Sequence, residues 1–125
     1  STARDVARVY QMLLNGGEID GQRYLSKETC QLFTTETSKI SRRGLGFDKP
    51  DADDPKKGNC APAAPAEVYG HTGFTGTCAW VDPVNELVYV FLSNRIYPDV
   101  INRKLNQLHI RERIQGAIYD AMKKK

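Results

Sequence analysis

The segment GHTGFTGT, residues 70–77, places three glycines at intervals of three around one histidine and three threonines. The apolar run AWVDPVNELVYVFLSN, residues 79–94, follows almost directly. Such a segment is compatible with a phosphate-binding loop, a metal site, a plain turn, or the edge of an acyl-transfer site. These alternatives make different demands on the rest of the chain, so the other residues decide between them.

Two of these alternatives find little support in the surrounding sequence. A phosphate loop needs a lysine after its last glycine and a helix behind it, whereas this segment has no lysine and precedes a strand pattern. Nothing in the spacing of Cys60, His71 and Cys78 directs them to one point, and no CxxC motif occurs. The sequence therefore predicts neither a phosphate loop, nor a metal site, nor a cofactor.

Length and composition indicate one globular domain or part of one. The chain has 125 residues, of which 40% are hydrophobic and 26% charged. Its net charge of +3 is too small to indicate a nucleic-acid partner. No apolar run approaches the roughly 20 residues that span a bilayer. The opening STARDVARVY contains no signal peptide and is typical of the middle of a protein. We therefore predict a single, partial domain over residues 1–125.

Two helices are predicted in the first third of the chain. Residues 1–17 carry apolar side chains at helical spacing, a cap at Ser1 or Thr2, and a terminating Asn-Gly-Gly. Residues 26–35 form the second helix, with Ser26 as its cap. The side chains of this region that are expected to face the core are Leu25, Cys30 and Phe33.

The middle of the chain predicts strands around a long loop. Residues 42–49, RRGLGFDK, are a short strand candidate. Residues 48–67 contain four prolines and almost no large apolar side chain, which predicts an exposed loop. The strands Thr77–Val81 and Leu87–Ser93 flank a hairpin turn. Because the second of these strands is apolar on both faces, it is expected to be central in its sheet.

The last predicted element is a C-terminal helix. The residues predicted to form its apolar face are Ile110, Ile114, Ala117, Ile118 and Ala121. The order of elements predicts an α+β fold in which an antiparallel sheet is packed by helices.

Two interpretations remain for residues 70–77. In the first, the glycines permit a bend at a strand edge and the threonines favour strand geometry. In the second, the small residues allow a ligand to approach the backbone. The absence of a Cβ at Gly73 would leave room for a substrate carbonyl, and the next amide could donate to an oxyanion. Thr72 and Thr75 could add hydroxyl contacts, and the His71 ring can donate or accept near neutral pH.

The sequence also resembles a known family. HTGFTG, the strand behind it, the Asp-Pro turn and VYVFLSNR are similar to the C-terminal part of the serine β-lactamase and penicillin-binding-protein-like hydrolases, in the branch near the class C enzymes. STARDVARVYQMLLNGG, GLGF and the last helix resemble other parts of the same region. The resemblance implies that residues 71–73 are the His-Thr-Gly variant of the family's Lys-Thr-Gly triplet. It therefore assigns substrate binding and the oxyanion side to His71, Thr72, Gly73 and the Phe74 amide.

The catalytic motifs of that family are absent from this chain. No serine is followed by lysine at the third position, and neither Tyr-x-Asn nor Ser-x-Asn occurs. We therefore expect no catalytic residue here, and interpret the chain as a C-terminal fragment whose nucleophile lies upstream. The parent would hydrolyse a β-lactam, a D-amino-acid peptide or an ester. The alternative is a non-catalytic binding or structural module with a degenerate hydrolase fold.

Two expectations concern the chain's surroundings. The resemblance implies a periplasmic or extracellular location. A part-sheet separated from its missing strands exposes an edge, which predicts self-association through that edge.

Overall fold

A computed structural model describes residues 1–35, 38, 40–51, 53–54 and 58–124. The helices are α1 (Ala3–Leu14), α2 (Lys27–Thr34), α3 (Lys104–Gln107) and α4 (Ile110–Met122). The strands are β1 (Glu18–Ile19), β2 (Gln22–Arg23), β3 (Tyr69–Thr72), β4 (Cys78–Asp82) and β5 (Leu87–Phe91). The first two strands form a small hairpin, and the last three form an antiparallel sheet in the order β3-β4-β5. The predicted α+β class, an antiparallel sheet packed by helices, is confirmed.

Helix α1 begins and ends where its sequence predicts. Thr2 and Asp5 form a reciprocal capping box, in which the Asp5 amide donates to the Thr2 hydroxyl at 3.2 Å and the Thr2 amide donates to the Asp5 carboxylate at 3.1 Å. The helix ends before Gly16 and Gly17, which both have positive φ. Its apolar side then packs against β4 and β5, so this helix covers one face of the sheet.

Helix α2 contributes less to the core than predicted. Ser26 caps it as expected, since its hydroxyl accepts from the Thr29 amide at 3.1 Å. Only Cys30 is buried, whereas Leu25 is 36% exposed and Phe33 45% exposed. The prediction that all three face the core is therefore wrong for Leu25 and Phe33, because the helix has only eight residues and lies at the edge of the described fold.

The sheet differs from the prediction in two respects: which strand is central, and whether residues 42–49 form a strand. All five residues of β4 are buried and β4 pairs with both neighbours, so β4 is central and β5 is not. An apolar run on both faces shows that the faces are covered but does not show that both edges are paired, which is why the prediction failed. Residues 42–49 form no strand in the described part of the chain, and contribute one bridge between Asp48 and Gly70.

The segment 48–67 is not exposed throughout as predicted. Asp48 and Lys49 are buried at its start, and Cys60 and Ala61 are buried in its second half, whereas residues 66–67 at its end are exposed. The core cluster contains Cys60, Val68, Cys78, Trp80 and Tyr89. Residues 52 and 55–57 of the predicted loop lie outside the described residues. A composition poor in large apolar residues therefore did not prevent burial, because small side chains and charge pairs occupy this interior.

Helix α4 is buried on a different face from the one predicted. Its buried side chains are Arg111, Gln115 and Tyr119, while Ile114 is 38% exposed. The predicted face is wrong because polar contacts orient the helix. Gln115 accepts from the Ala61 amide at 2.8 Å, and the Tyr119 hydroxyl donates to Asp82 at 2.8 Å. Of the five residues predicted to form the buried face, only Ile110 and Ile118 are half-buried; Ile114, Ala117 and Ala121 are exposed.

Candidate functional site

The His-Thr-Gly triplet lies at the end of β3 and continues into a tight turn. His71 pairs with Ala79 and Thr72 with Cys78 across the antiparallel ladder. His71 is exposed, and its Nδ1 lies 2.6 Å from the Thr72 carbonyl oxygen. Because a carbonyl can only accept, Nδ1 must carry the proton that it donates.

Hydrogen bonds within residues 73–77 hold the turn closed. The Gly73 amide donates to the Thr77 carbonyl at 2.8 Å, and the Gly76 amide donates to the Gly73 carbonyl at 2.9 Å. A Cβ at Gly73 would lie 2.3 Å from the Thr77 hydroxyl oxygen. The closed turn therefore requires a glycine at position 73. This local requirement adds to the room for a substrate carbonyl, which is the reason that we inferred from the sequence.

The segment after β5 anchors the same turn. The Arg95 amide and the Ser93 hydroxyl both donate to the Thr75 carbonyl, at 2.9 and 3.2 Å. The Arg95 guanidinium also lies 5.0 Å from the centre of the Phe74 ring, within the range of a cation–π contact. Among the described residues, the Phe74 amide has no hydrogen-bond partner. The backbone group to which the resemblance assigns the oxyanion role therefore makes no competing bond here.

A polar cleft of about 410 Å³, here called the triplet cleft, lies beside this turn. It brings Thr72, Gly73 and Phe74 together with residues from the 58–59 segment and the α3–α4 junction. The lining residues that matter most are Asn59, Arg95, Asn106, His109, Arg111 and Glu112. His71 does not line the triplet cleft, and lines a second hollow of about 290 Å³ beside Val6 and Tyr10. Thr72 and Gly73 line both hollows, so they lie between His71 on one side and Phe74 on the other.

The charges around the triplet cleft are unequal in sign. Arg95 and Arg111 supply two cations and Glu112 one anion. Arg111 is only 7% exposed, and its guanidinium donates to the Asn106 side chain at 3.1 Å. Its Nε has no hydrogen-bond partner among the described residues.

Helix α4 adds a further positive contribution. It begins at the cleft after His109, which has φ 50°, and it has no side-chain cap. The free amides of a helix N-terminus favour an anion. Arginines at fixed positions recognise carboxylates well. The arrangement is suited to a ligand with an anionic group.

Sequence reasoning missed the basic residues of the cleft. Arg95 stands in a segment that we read only by resemblance, and Arg111 looks like a solvent residue near the start of an amphipathic helix. Neither belongs to a motif, so no signal in the sequence would have assigned them. Folding brings them to the triplet because β5 ends near it and α4 begins there.

The cysteines do not offer a replacement nucleophile. Cys30, Cys60 and Cys78 are all buried and free. Burial raises the pKa of the Cys60 thiol to about 12 and that of Cys78 to about 11, so both are protonated at neutral pH. In the described part of the chain, no group of three or more His, Cys, Asp or Glu residues is placed to hold a metal ion.

The buried Asp48 carboxylate predicts how stability responds to acid. Burial by itself raises the pKa of this carboxyl, but hydrogen bonds from Asn59 and Arg42 outweigh it and hold the pKa below its ordinary value. The carboxylate therefore stabilises the folded chain above pH about 4, and this contribution is lost as the pH falls through the folded-state pKa.

The Asp48→Asn variant is expected to be less stable than the wild type at pH 7. Its stability is also expected to fall less steeply between about pH 5 and pH 2. Urea unfolding at a series of pH values measures both quantities. A decline as steep as that of the wild type would contradict the assignment.

Comparison with known proteins adds an independent result. The model of a family described as Beta-lactamase matches residues 1–112. Proteins provisionally named D-alanyl-D-alanine carboxypeptidases are 34% identical to this chain in Escherichia coli O157:H7 and 33% identical in Escherichia coli K12 and in Salmonella agona SL483. Each match covers 106 residues, 85% of this chain but 24% of the relative. The chain therefore spans about a quarter of the length of these relatives.

None of the described helices combines the length and the apolar composition that crossing a membrane requires.

Proposed function

The chain belongs to the β-lactamase family of serine hydrolases, and on that premise we propose that it forms the triplet wall of the substrate site in a longer hydrolase. The reaction would be acyl transfer to a serine supplied by residues outside this chain, followed by hydrolysis. The observation that carries this proposal is the triplet cleft, in which Thr72 and Phe74 meet Arg95 and Arg111 in one cavity.

The chemistry of the cleft supports a division of roles. The Phe74 amide would donate to the oxyanion of the tetrahedral intermediates that precede and follow the acyl-enzyme, where a fixed backbone donor lowers the barrier. The Thr72 hydroxyl would bind the substrate beside it. Arg95, Arg111 and the start of α4 would attract a carboxylate of the substrate. Position 71 holds a histidine where the commoner triplet has a lysine, so the arginines of the cleft would take over the electrostatic role of that lysine.

These features favour a peptide ending in a D-amino acid with a free carboxylate, and the names of the relatives agree with that substrate class. A β-lactam also carries a carboxylate and would fit the same cleft, whereas an ester need not carry one. We also propose a periplasmic or extracellular location for the longer protein. Finding the full-length protein only in the cytosolic fraction after cell fractionation would contradict that location.

The chain by itself is expected to have no hydrolytic turnover. Nitrocefin, p-nitrophenyl acetate and acetyl-D-alanyl-D-alanine should disappear at their uncatalysed rates in its presence, because no Ser-x-x-Lys or Tyr-x-Asn motif occurs. The measurement is an absorbance assay for the first two compounds and release of D-alanine for the third, with the urea-unfolded chain as control.

One variant makes this test sharp. The Ser93 hydroxyl is hydrogen-bonded to the turn beside the triplet. Ser93→Ala therefore tests whether this serine acts as a nucleophile. Turnover above the uncatalysed rate that disappears in Ser93→Ala, or in another serine variant, would show that the chain carries its own nucleophile and overturn this assignment.

A further inference from the structure

An ion pair between the half-buried Arg42 and the buried Asp48 lies next to the triplet strand but outside the cleft. Asp48 is 1% exposed, and its carboxylate is 2.9 and 3.1 Å from two nitrogens of the Arg42 guanidinium. It also accepts from the Asn59 side chain and from the Lys49 amide, each at 3.0 Å. These four residues are here called the Asp48 cluster. A buried carboxylate with this many donors is well compensated for its loss of water.

The Asp48 cluster reaches the site along two routes. The first is backbone pairing: the Asp48 amide donates to the Gly70 carbonyl at 2.7 Å, and the Gly70 amide donates to the Asp48 carbonyl at 3.0 Å. Gly70 directly precedes the triplet. The second route is Asn59, which is held by the Asp48 carboxylate and lines the triplet cleft together with Thr72. One residue therefore bonds the outer edge of β3 through its backbone and a residue of the cleft wall through its carboxylate.

The cluster is itself held by contacts with neighbouring segments. The Arg42 guanidinium also donates to the Lys49 carbonyl at 2.9 Å. The Lys49 ammonium donates to the carbonyls of Thr34, at the end of α2, and Glu67, just before β3, each at 3.2 Å. Movement of Asp48 relative to β3 would break several of these bonds at once.

We propose that Asp48 is a positioning residue of the site: among the described residues its only hydrogen bond to a lining residue of the cleft is the one from Asn59, and it sets the geometry of the triplet through Gly70 and Asn59. A carboxylate is required because it accepts hydrogen bonds without donating any, and because it can accept from several donors at once. An asparagine would place an NH₂ donor against Arg42 or Asn59. The positioning role stands on the geometry above, while its consequence for ligand binding rests on the proposed function.

The test compares Asp48→Asn with a matched control, Asp82→Asn. Asp82 is also buried, at 2% exposure, and also accepts several hydrogen bonds, from Val84, Asn85 and Tyr119. It lies at the far end of β4, roughly 13 Å along the strands from the triplet. Both variants remove one buried charge, so a general loss of stability affects them alike.

Amide chemical shifts from ¹⁵N NMR measure the positioning directly. Asp48→Asn is expected to move the signals of residues 58–60 and 70–73, whereas Asp82→Asn is expected to leave those signals in place. Unchanged signals at 70–73 in Asp48→Asn, or equal changes in both variants, would overturn the proposal.

A second variant keeps the proposal testable where Asp48→Asn does not fold. Asn59→Ala removes one route and leaves the Asp48–Arg42 pair intact. It should move the signals of residues 58–60 and leave that of Gly70 unchanged. A shift at Gly70 as large as that at residues 58–60 would show that the two routes are not separate and overturn the proposal.

Ligand binding separates this inference from the proposed function. With acetyl-D-alanyl-D-alanine as the probe, Asp48→Asn is expected to weaken binding about fivefold, because small misplacements of binding groups are costly. Asp82→Asn should change it less than about twofold. If the wild type does not bind this probe, the proposed function fails, and the chemical-shift comparison alone decides the positioning role.

Discussion

The Gly70→Ala variant is expected to lose about 3 kcal/mol of its free energy of unfolding. A Cβ at this position would lie 2.1 Å from the Ala79 carbonyl oxygen and 2.8 Å from the Trp80 Cα. These are backbone atoms of the neighbouring strand, so they cannot rotate away as a side chain could. β3 would have to move off β4 at the point where the triplet begins. Urea unfolding followed by circular dichroism measures the loss.

The matched control for this variant is Gly116→Ala. Gly116 lies within α4, and a Cβ there would meet only the Ala61 Cβ, at 4.0 Å. The same chemical change is therefore expected to stabilise the chain by about 0.5–1 kcal/mol, because alanine is the better helix former. Equal unfolding midpoints for the two variants would contradict the packing of β3 against β4 described above.

The Arg111→Gln variant is expected to weaken binding of acetyl-D-alanyl-D-alanine about tenfold, which is the typical worth of a charge-assisted hydrogen bond. Arg111 is the buried cation of the triplet cleft, and its Nε has no partner among the described residues. Glutamine keeps a polar side chain but removes the charge. An NMR titration at low ionic strength measures the affinity, and repeating it with added salt should weaken the wild-type interaction.

Arg113→Gln is the control for the loss of charge. Arg113 lies in the same turn of α4 but does not line the triplet cleft; it lines an adjoining apolar hollow beside Cys60 and Pro62. Its substitution changes the net charge equally and should change the affinity less than about twofold. Equal weakening in both variants would mean that net charge attracts the probe, and would contradict a specific role for Arg111.

Local sequence rules predicted the ends of elements well. The Thr2 and Ser26 caps, the glycines after α1 and the hairpin turn between β4 and β5 all lie where the sequence places them. Each depends on a few neighbouring residues and their backbone preferences. Such features can be read without knowledge of the tertiary structure.

Long-range packing was harder to predict. Gln115 is buried because its side chain bonds the Ala61 amide, 54 residues away in sequence. Hydrophobic periodicity has no means of detecting that contact, and it therefore assigned the buried face of α4 to the wrong residues. The Asp48–Arg42 pair was missed for the same reason. Asp48 was assigned to an exposed loop because prolines follow it, although its carboxylate is buried against the half-buried Arg42.

The candidate site shows the same contrast. The resemblance selected residues 71–74, and the structure places three of them, Thr72, Gly73 and Phe74, in one cleft. His71 lies outside that cleft and lines the neighbouring hollow, which Thr72 and Gly73 share with it. The arginines of the cleft come from two distant segments with no motif, so only the folded chain could identify them.

The most direct test of the account is to map where acetyl-D-alanyl-D-alanine binds the wild-type chain by ¹⁵N NMR. We expect the largest shifts in two groups of residues, 72–74 on the triplet turn and 106–112 at the start of α4. The claim that this chain forms the triplet wall of a hydrolase site would be contradicted by unchanged chemical shifts at the residues of the triplet cleft. Larger changes at a distant surface, such as the β1–β2 hairpin, would contradict it as well.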